Sequence, residues 1–212
     1  AHGYQSPFIA AHASLTIRDD LATSGATIGQ ISDAAGANTL FGRLATVIAA
    51  APDVLTILIG ANDLSVSAST VDWMMRFYQY VDMVHAALPD CLIGIATVLP
   101  CLEASHVTNG HNAKRATVNA QLRAEVGLHH NFLIPLGDDP LAGLDTAPDD
   151  TNYFNVDKEH PNSGGHARYA LIYSAVLDPI FAQLSGATPA AFTLTDQSNV
   201  ALSSTQIART TV

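Results

Sequence analysis

The 212-residue chain is poor in charge: only 13% of its residues are Asp, Glu, Lys or Arg. Lys and Arg together number nine, against 19 Asp and Glu, for a formal net charge of −10. Nine scattered cations do not make the basic patch that a phosphate backbone requires, so nucleic acid is excluded as a partner. A neutral or cationic substrate suits this field better than a polyanion. No stretch reaches the ~18 consecutive apolar residues that a membrane span needs. Residues 1–6 lack the basic end and apolar run of a signal peptide, but a processed signal leaves no trace, so secreted and cytoplasmic locations both stay open. Cysteine is scarce too. Cys91 and Cys101 flank an expected strand over 92–98, whose ends at about 3.3 Å per residue stand too far apart for a disulfide. His129-His130 reads as a helix-to-strand connection, and no other group has the ligand clustering of a zinc site. No metal and no cofactor are expected.

What the chain does have is apolar residues, 48% of the total, enough for one α/β domain with a sizeable core. Continuous apolar runs over 54–59 and 92–98, and a shorter one over 132–136, read as strands covered on both faces. Helical apolar spacing appears over 39–50, 71–88, 113–126 and 163–184, with Ser69-Thr70 as a cap region and Pro89 just past a helix end. Trp73, Phe77 and Tyr80 follow that spacing and are expected in the core, and His85 on the same helix is expected to be structural. A short helix over 6–15 and a short strand over 16–21 come first. Strands alternating with helices imply βαβ units, hence a three-layer α/β/α sandwich around a mostly parallel sheet. Residues 137–156 form a long acidic loop, which in a compact domain is functional or mobile. Residues 1–185 are expected to form this domain. Residues 186–212 read as a linker and a Ser/Thr-rich β tail of the kind that begins a second module.

Three short motifs carry chemistry. Ile57-Leu58-Ile59 runs into Gly60-Ala61-Asn62-Asp63 at the carboxyl end of a strand, where ligands sit in open parallel sheets. The Asn62 amide can there donate to a developing oxyanion, Gly60 permits the turn, and Asp63 can cap the residues after it. Asp157-Lys158-Glu159-His160 precedes the last helix. A carboxylate three residues before an imidazole can orient it as a general base, with Glu159 between them facing solvent. Ser24-Gly25-Ala26-Thr27 is a turn whose glycine lets the backbone approach a ligand closely.

Together, and in this order, the motifs resemble blocks of the SGNH (GDSL) hydrolase superfamily over roughly residues 6–184. The resemblance implies the flavodoxin-like fold of that family. It also implies His160 and Asp157 as two members of a catalytic triad, with the Gly25 N–H and the Asn62 amide in the oxyanion hole. Asp20 stands where the family often has an Asn. The family's first block, Gly-Asp-Ser-Leu, is absent. A helix of about 12 residues, a strand of about 5 and two loops of about 4 must separate its serine from Gly25, which puts that serine near or before Ala1. Ser6 follows no apolar strand, Ser14 lies only 11 residues before Gly25, and Ser24 reads as a turn residue. Three explanations remain: the block lies outside this chain, the domain lacks it, or the fold is permuted and Ser198, after the strand over 192–195, supplies it. The first is preferred, because permutation is rare. The expected function is hydrolysis of carboxylic esters of a small molecule or carbohydrate. The alternative is a non-catalytic carbohydrate-binding or structural module on the same fold.

Overall fold

The computed structural model describes residue 8, residues 24–66 and residues 69–185. The strand expected over 16–21, the β tail, Ser6, Ser14 and Ser198 fall outside the described residues, as does the helix over 6–15 apart from Phe8.

Among the described residues three strands form the sheet: β1 (Val54–Ile57), β2 (Leu92–Ala96) and β3 (Phe132–Ile134). They pair in parallel in the order β1-β2-β3, with Val54 opposite Leu92 and Gly94 opposite Phe132. The helices are α1 (Leu40–Ala50), α2 (Ala61–Ser65), α3 (Thr70–Ala87), α4 (Ala104–Thr108), α5 (His111–Ala124) and α6 (Ser163–Leu184).

Strand side chains alternate between faces, and the two faces find different helices. Leu55, Ile57, Ile93, Ile95 and Leu133 pack with Phe41 of α1, Trp73, Phe77 and Tyr80 of α3, and Leu122 of α5. Val54, Leu92, Ala96, Phe132 and Ile134 pack on the opposite side with Tyr169, Tyr173, Leu177 and Ile180 of α6, joined by Phe8. Phe8 meets Tyr173 edge-on at 6.3 Å between ring centroids. Helices thus cover both faces, which is why the strands read as unbroken apolar runs. The expected three-layer α/β architecture is observed.

Element ends differ from the sequence reading for local reasons. β1 stops at Ile57, where its ladder ends opposite Ile95; Leu58 and Ile59 stay apolar because they still pack on the two cores. β3 stops at Ile134 because Pro135 has no N–H to continue the ladder and a 3-10 turn, Leu136–Asp138, comes next. α1 starts after Thr39, whose hydroxyl accepts the Gly42 N–H at 3.0 Å. Ser69 makes no side-chain cap; its carbonyl accepts the Trp73 N–H. Both cysteines are free and buried. Among the described residues no helix is long and apolar enough to cross a membrane.

Candidate active site

The turn after β1 is built around Gly60, at φ +117°. A Cβ there would lie 2.9 Å from Val98 and 3.1 Å from the Trp73 ring, so both conformation and packing demand glycine. The turn leads into α2, which presents Asn62 and Asp63. The Asn62 amide donates to the Ala26 carbonyl at 3.0 Å. Asp63 is not a local cap: it is buried, and its carboxylate accepts the Ile28 backbone N–H at 3.1 Å. Burial pushes the Asp63 carboxyl above its ordinary range, while the Ile28 N–H and nearby Arg76 oppose the shift. Arg76 itself donates to the Gly29 carbonyl at 3.0 Å. Residues 25–29 are thereby held against the turn after β1. Gly25 sits exposed at φ +74°, two of the three motifs having been brought together.

The third motif is a closed loop. Phe154 and Pro161 form an antiparallel bridge across its neck, and the Asn155 N–H donates to the His160 carbonyl. Inside it, Asp157 accepts the backbone N–H groups of Glu159 and His160, both at 3.0 Å. Its other oxygen meets His160 Nδ1 at 3.1 Å. The His160 N–H, with burial opposing and the other bonds assisting, holds the Asp157 carboxyl below its usual value, so it is an anion at neutral pH. Lys158, between Asp157 and Glu159, takes the left-handed conformation at φ +59°. The His160 imidazole remains 59% exposed.

Asn162 accounts for the two glycines after it. Its Oδ1 accepts the N–H groups of Gly164 and Gly165, capping α6, and its Nδ2 donates to the carbonyls of Thr151 and Phe154. Any Cβ at Gly164 or Gly165 would fall 2.1–2.2 Å from the Asn152 or Tyr153 carbonyl oxygen. The His160 loop and the start of α6 are therefore one interlocked unit.

That loop docks on the chain leaving β2. The Leu102 N–H donates to the Lys158 carbonyl at 2.9 Å. α4 packs against α2 on one side, while on the other its His106 faces Glu159 at 3.6 Å. All three motifs thus stand at the carboxyl-end edge of the sheet. Among the described residues no hydrogen bond joins His160 to Asn62 or Gly25, and no serine hydroxyl bonds to His160.

The structure corrects two further expectations. Glu159 does not face solvent: its side chain is 22% exposed and points to His106, because the Leu102–Lys158 bond folds the loop onto α4. Nor is a group of clustered ligands lacking. Cys101, His106 and Glu159 each offer an atom, all within 4.8 Å of one another. Burial, together with the surrounding carboxylates, pushes the Cys101 thiol up to about 11, against a stabilising backbone N–H at Glu103. His129, by contrast, meets Asp82 and stacks on Tyr78, a surface arrangement that suits the connection expected there. His85 reaches the His129 carbonyl, as a structural residue would.

Sequence reasoning missed Arg115 and Asn119. Asn119 bonds both the N–H and the carbonyl of Val98, and Arg115 donates to the carbonyls of Gly137 and Gly143 and pairs with Asp145. They fix the end of β2 and the start of the acidic loop, which also contains a second 3-10 turn, Ala147–Asp149. The available signal was their i,i+4 spacing on the same helix face as Val118 and Leu122.

Compared with known proteins, the model of the GDSL-like Lipase/Acylhydrolase family matches residues 2–168. No curated protein matches. Among solved structures the chain is similar to a Clostridium thermocellum family 3 carbohydrate esterase, with a TM-score of 0.60 and 19% identity. That alignment covers 87% of this chain and 88% of the other, and at such identity it shows the fold.

Proposed function

The chain belongs to the GDSL-like Lipase/Acylhydrolase family, and on that footing we propose that it hydrolyses carboxylic esters of small acyl groups, such as acetyl, on an alcohol or sugar. The observation that carries this reading is the Asp157–His160 pair: an anionic carboxylate on Nδ1, with the ring otherwise open to a substrate. In this reading a serine hydroxyl attacks the ester carbonyl while His160 Nε2 takes its proton. Asp157 holds the tautomer and stabilises the imidazolium. The Gly25 N–H and the Asn62 amide donate to the oxyanion. His160 then returns the proton to the leaving alcohol, and water releases the acid from the acyl-enzyme by the same route.

The serine lies outside the recognised blocks; in a permuted fold it is Ser198. The carbohydrate-ester substrate class has the support of the similar solved structure, whose name states that activity for that protein.

The test is p-nitrophenyl acetate hydrolysis by the full-length protein beside its His160→Ala variant, followed by fluorophosphonate labelling and peptide mapping. Turnover lost in the variant, with one labelled serine, supports the esterase and locates its nucleophile. A folded protein with neither turnover nor label supports the non-catalytic module instead.

A further inference from the structure

We propose that Cys101, His106 and Glu159 form a binding site for a thiophilic divalent cation, zinc foremost, beside His160. Thiolate, imidazole and carboxylate are the three donor types that zinc takes. Bonds of about 2.0–2.3 Å place neighbouring ligands of a tetrahedral ion about 3.5 Å apart. His106 Nε2 and Glu159 Oε1 lie 3.6 Å apart, such an edge already formed, and the three donor atoms stay within 4.8 Å of one another.

The surroundings point the same way. A separation of 3.6 Å is too long for a hydrogen bond, so no shared proton joins the His106–Glu159 pair. Cys101 is 2% exposed and His106 7% exposed, so two of the three donors are buried. The Glu159 carboxylate, 22% exposed, closes the cluster on its wetter side and supplies negative charge to a bound cation. On binding, the Cys101 thiol gives its proton to solvent and the thiolate lone pair goes to the metal. Three protein donors leave the fourth position to water.

The consequence is local. Cys101 and His106 come after β2, while Glu159 belongs to the His160 loop, with Glu159 Oε2 only 3.9 Å from His160 Nδ1. The metal staples these two segments together next to the candidate general base. Cation binding at these three residues does not depend on ester hydrolysis, and the experiment below reads none.

That experiment titrates the metal-free full-length protein with cobalt(II), then displaces it with zinc. The expected result is a thiolate-to-cobalt charge-transfer band that saturates at one equivalent, disappears with one equivalent of zinc and survives in Cys91→Ala. The band is lost in Cys101→Ser and in His106→Gln, and needs more cobalt to saturate in Glu159→Gln, each variant being checked for folding by circular dichroism. Zinc raises the melting temperature of the parent and not of Cys101→Ser. A folded parent with no band at stoichiometric cobalt overturns the proposal, as does a band that persists in Cys101→Ser. If the cysteine variant fails to fold, slowed alkylation of Cys101 by a thiol reagent in the presence of zinc replaces it, and an unchanged rate is the contrary outcome.

Discussion

The Asp63 carboxylate accepts the Ile28 backbone N–H across 35 residues of sequence, and both residues are buried. This bond, more than any local turn preference, fixes the Gly25 segment against the Asn62 turn. Asp63→Ala leaves a buried N–H unsatisfied and is expected to cost about 1–3 kcal/mol. Burial disfavours the charged form of Asp63, so Asp63→Asn, which keeps an acceptor without the charge, is expected to cost less. Chemical denaturation of the two variants gives the comparison, and equal losses would count against the bond.

Asn62 carries a second expectation. If its amide donates to an oxyanion, Asn62→Ala lowers kcat by about 10²–10³ with little change in KM. Loss of the bond to Ala26 adds about 1 kcal/mol of instability, measurable separately by denaturation. Unchanged kcat in a folded variant removes Asn62 from the oxyanion hole.

Asn162 is expected to matter for stability and for activity alike. Asn162→Ala removes the cap of α6 and two further donors, at about 2 kcal/mol or more. Because the same residue closes the His160 loop, ester turnover falls as well. A variant with lower melting temperature and full turnover would show that the loop holds its shape without it.

His130 sets part of the response to acid. Burial holds its imidazole at about 4, against 6.5 for the free side chain. Between those values the unfolded chain binds a proton that the folded chain refuses, so stability falls as pH drops through this window. The loss is complete below the folded value and is on the order of 3 kcal/mol. His130→Leu is expected to take up about one proton fewer on unfolding near pH 5. Unfolding free energies from about pH 4 to 7 that run parallel in parent and variant would contradict the assignment.

The layers were legible because β1 and β2 are covered on both faces and therefore read as apolar runs, and because α6 keeps its apolar spacing to the end. The Asp157–His160 contact was legible because the two residues lie three apart in one contiguous motif. What escaped the sequence was tertiary. Asp63 looked like a turn cap because its true partner lies far along the chain. Arg115 and Asn119 looked like ordinary helix residues until the end of β2 and the acidic loop packed on them. Glu159 looked solvent-facing until the Leu102–Lys158 bond laid its loop on α4 and made a three-ligand cluster out of distant residues.

The central claim is that the Asp157–His160 pair serves ester hydrolysis, and the most direct measurement is the rate of p-nitrophenyl acetate hydrolysis by the full-length protein beside a folded His160→Ala variant. Turnover by the parent that drops to background in the variant is the result expected. Equal rates in the two proteins, or no turnover from the folded parent, would contradict it.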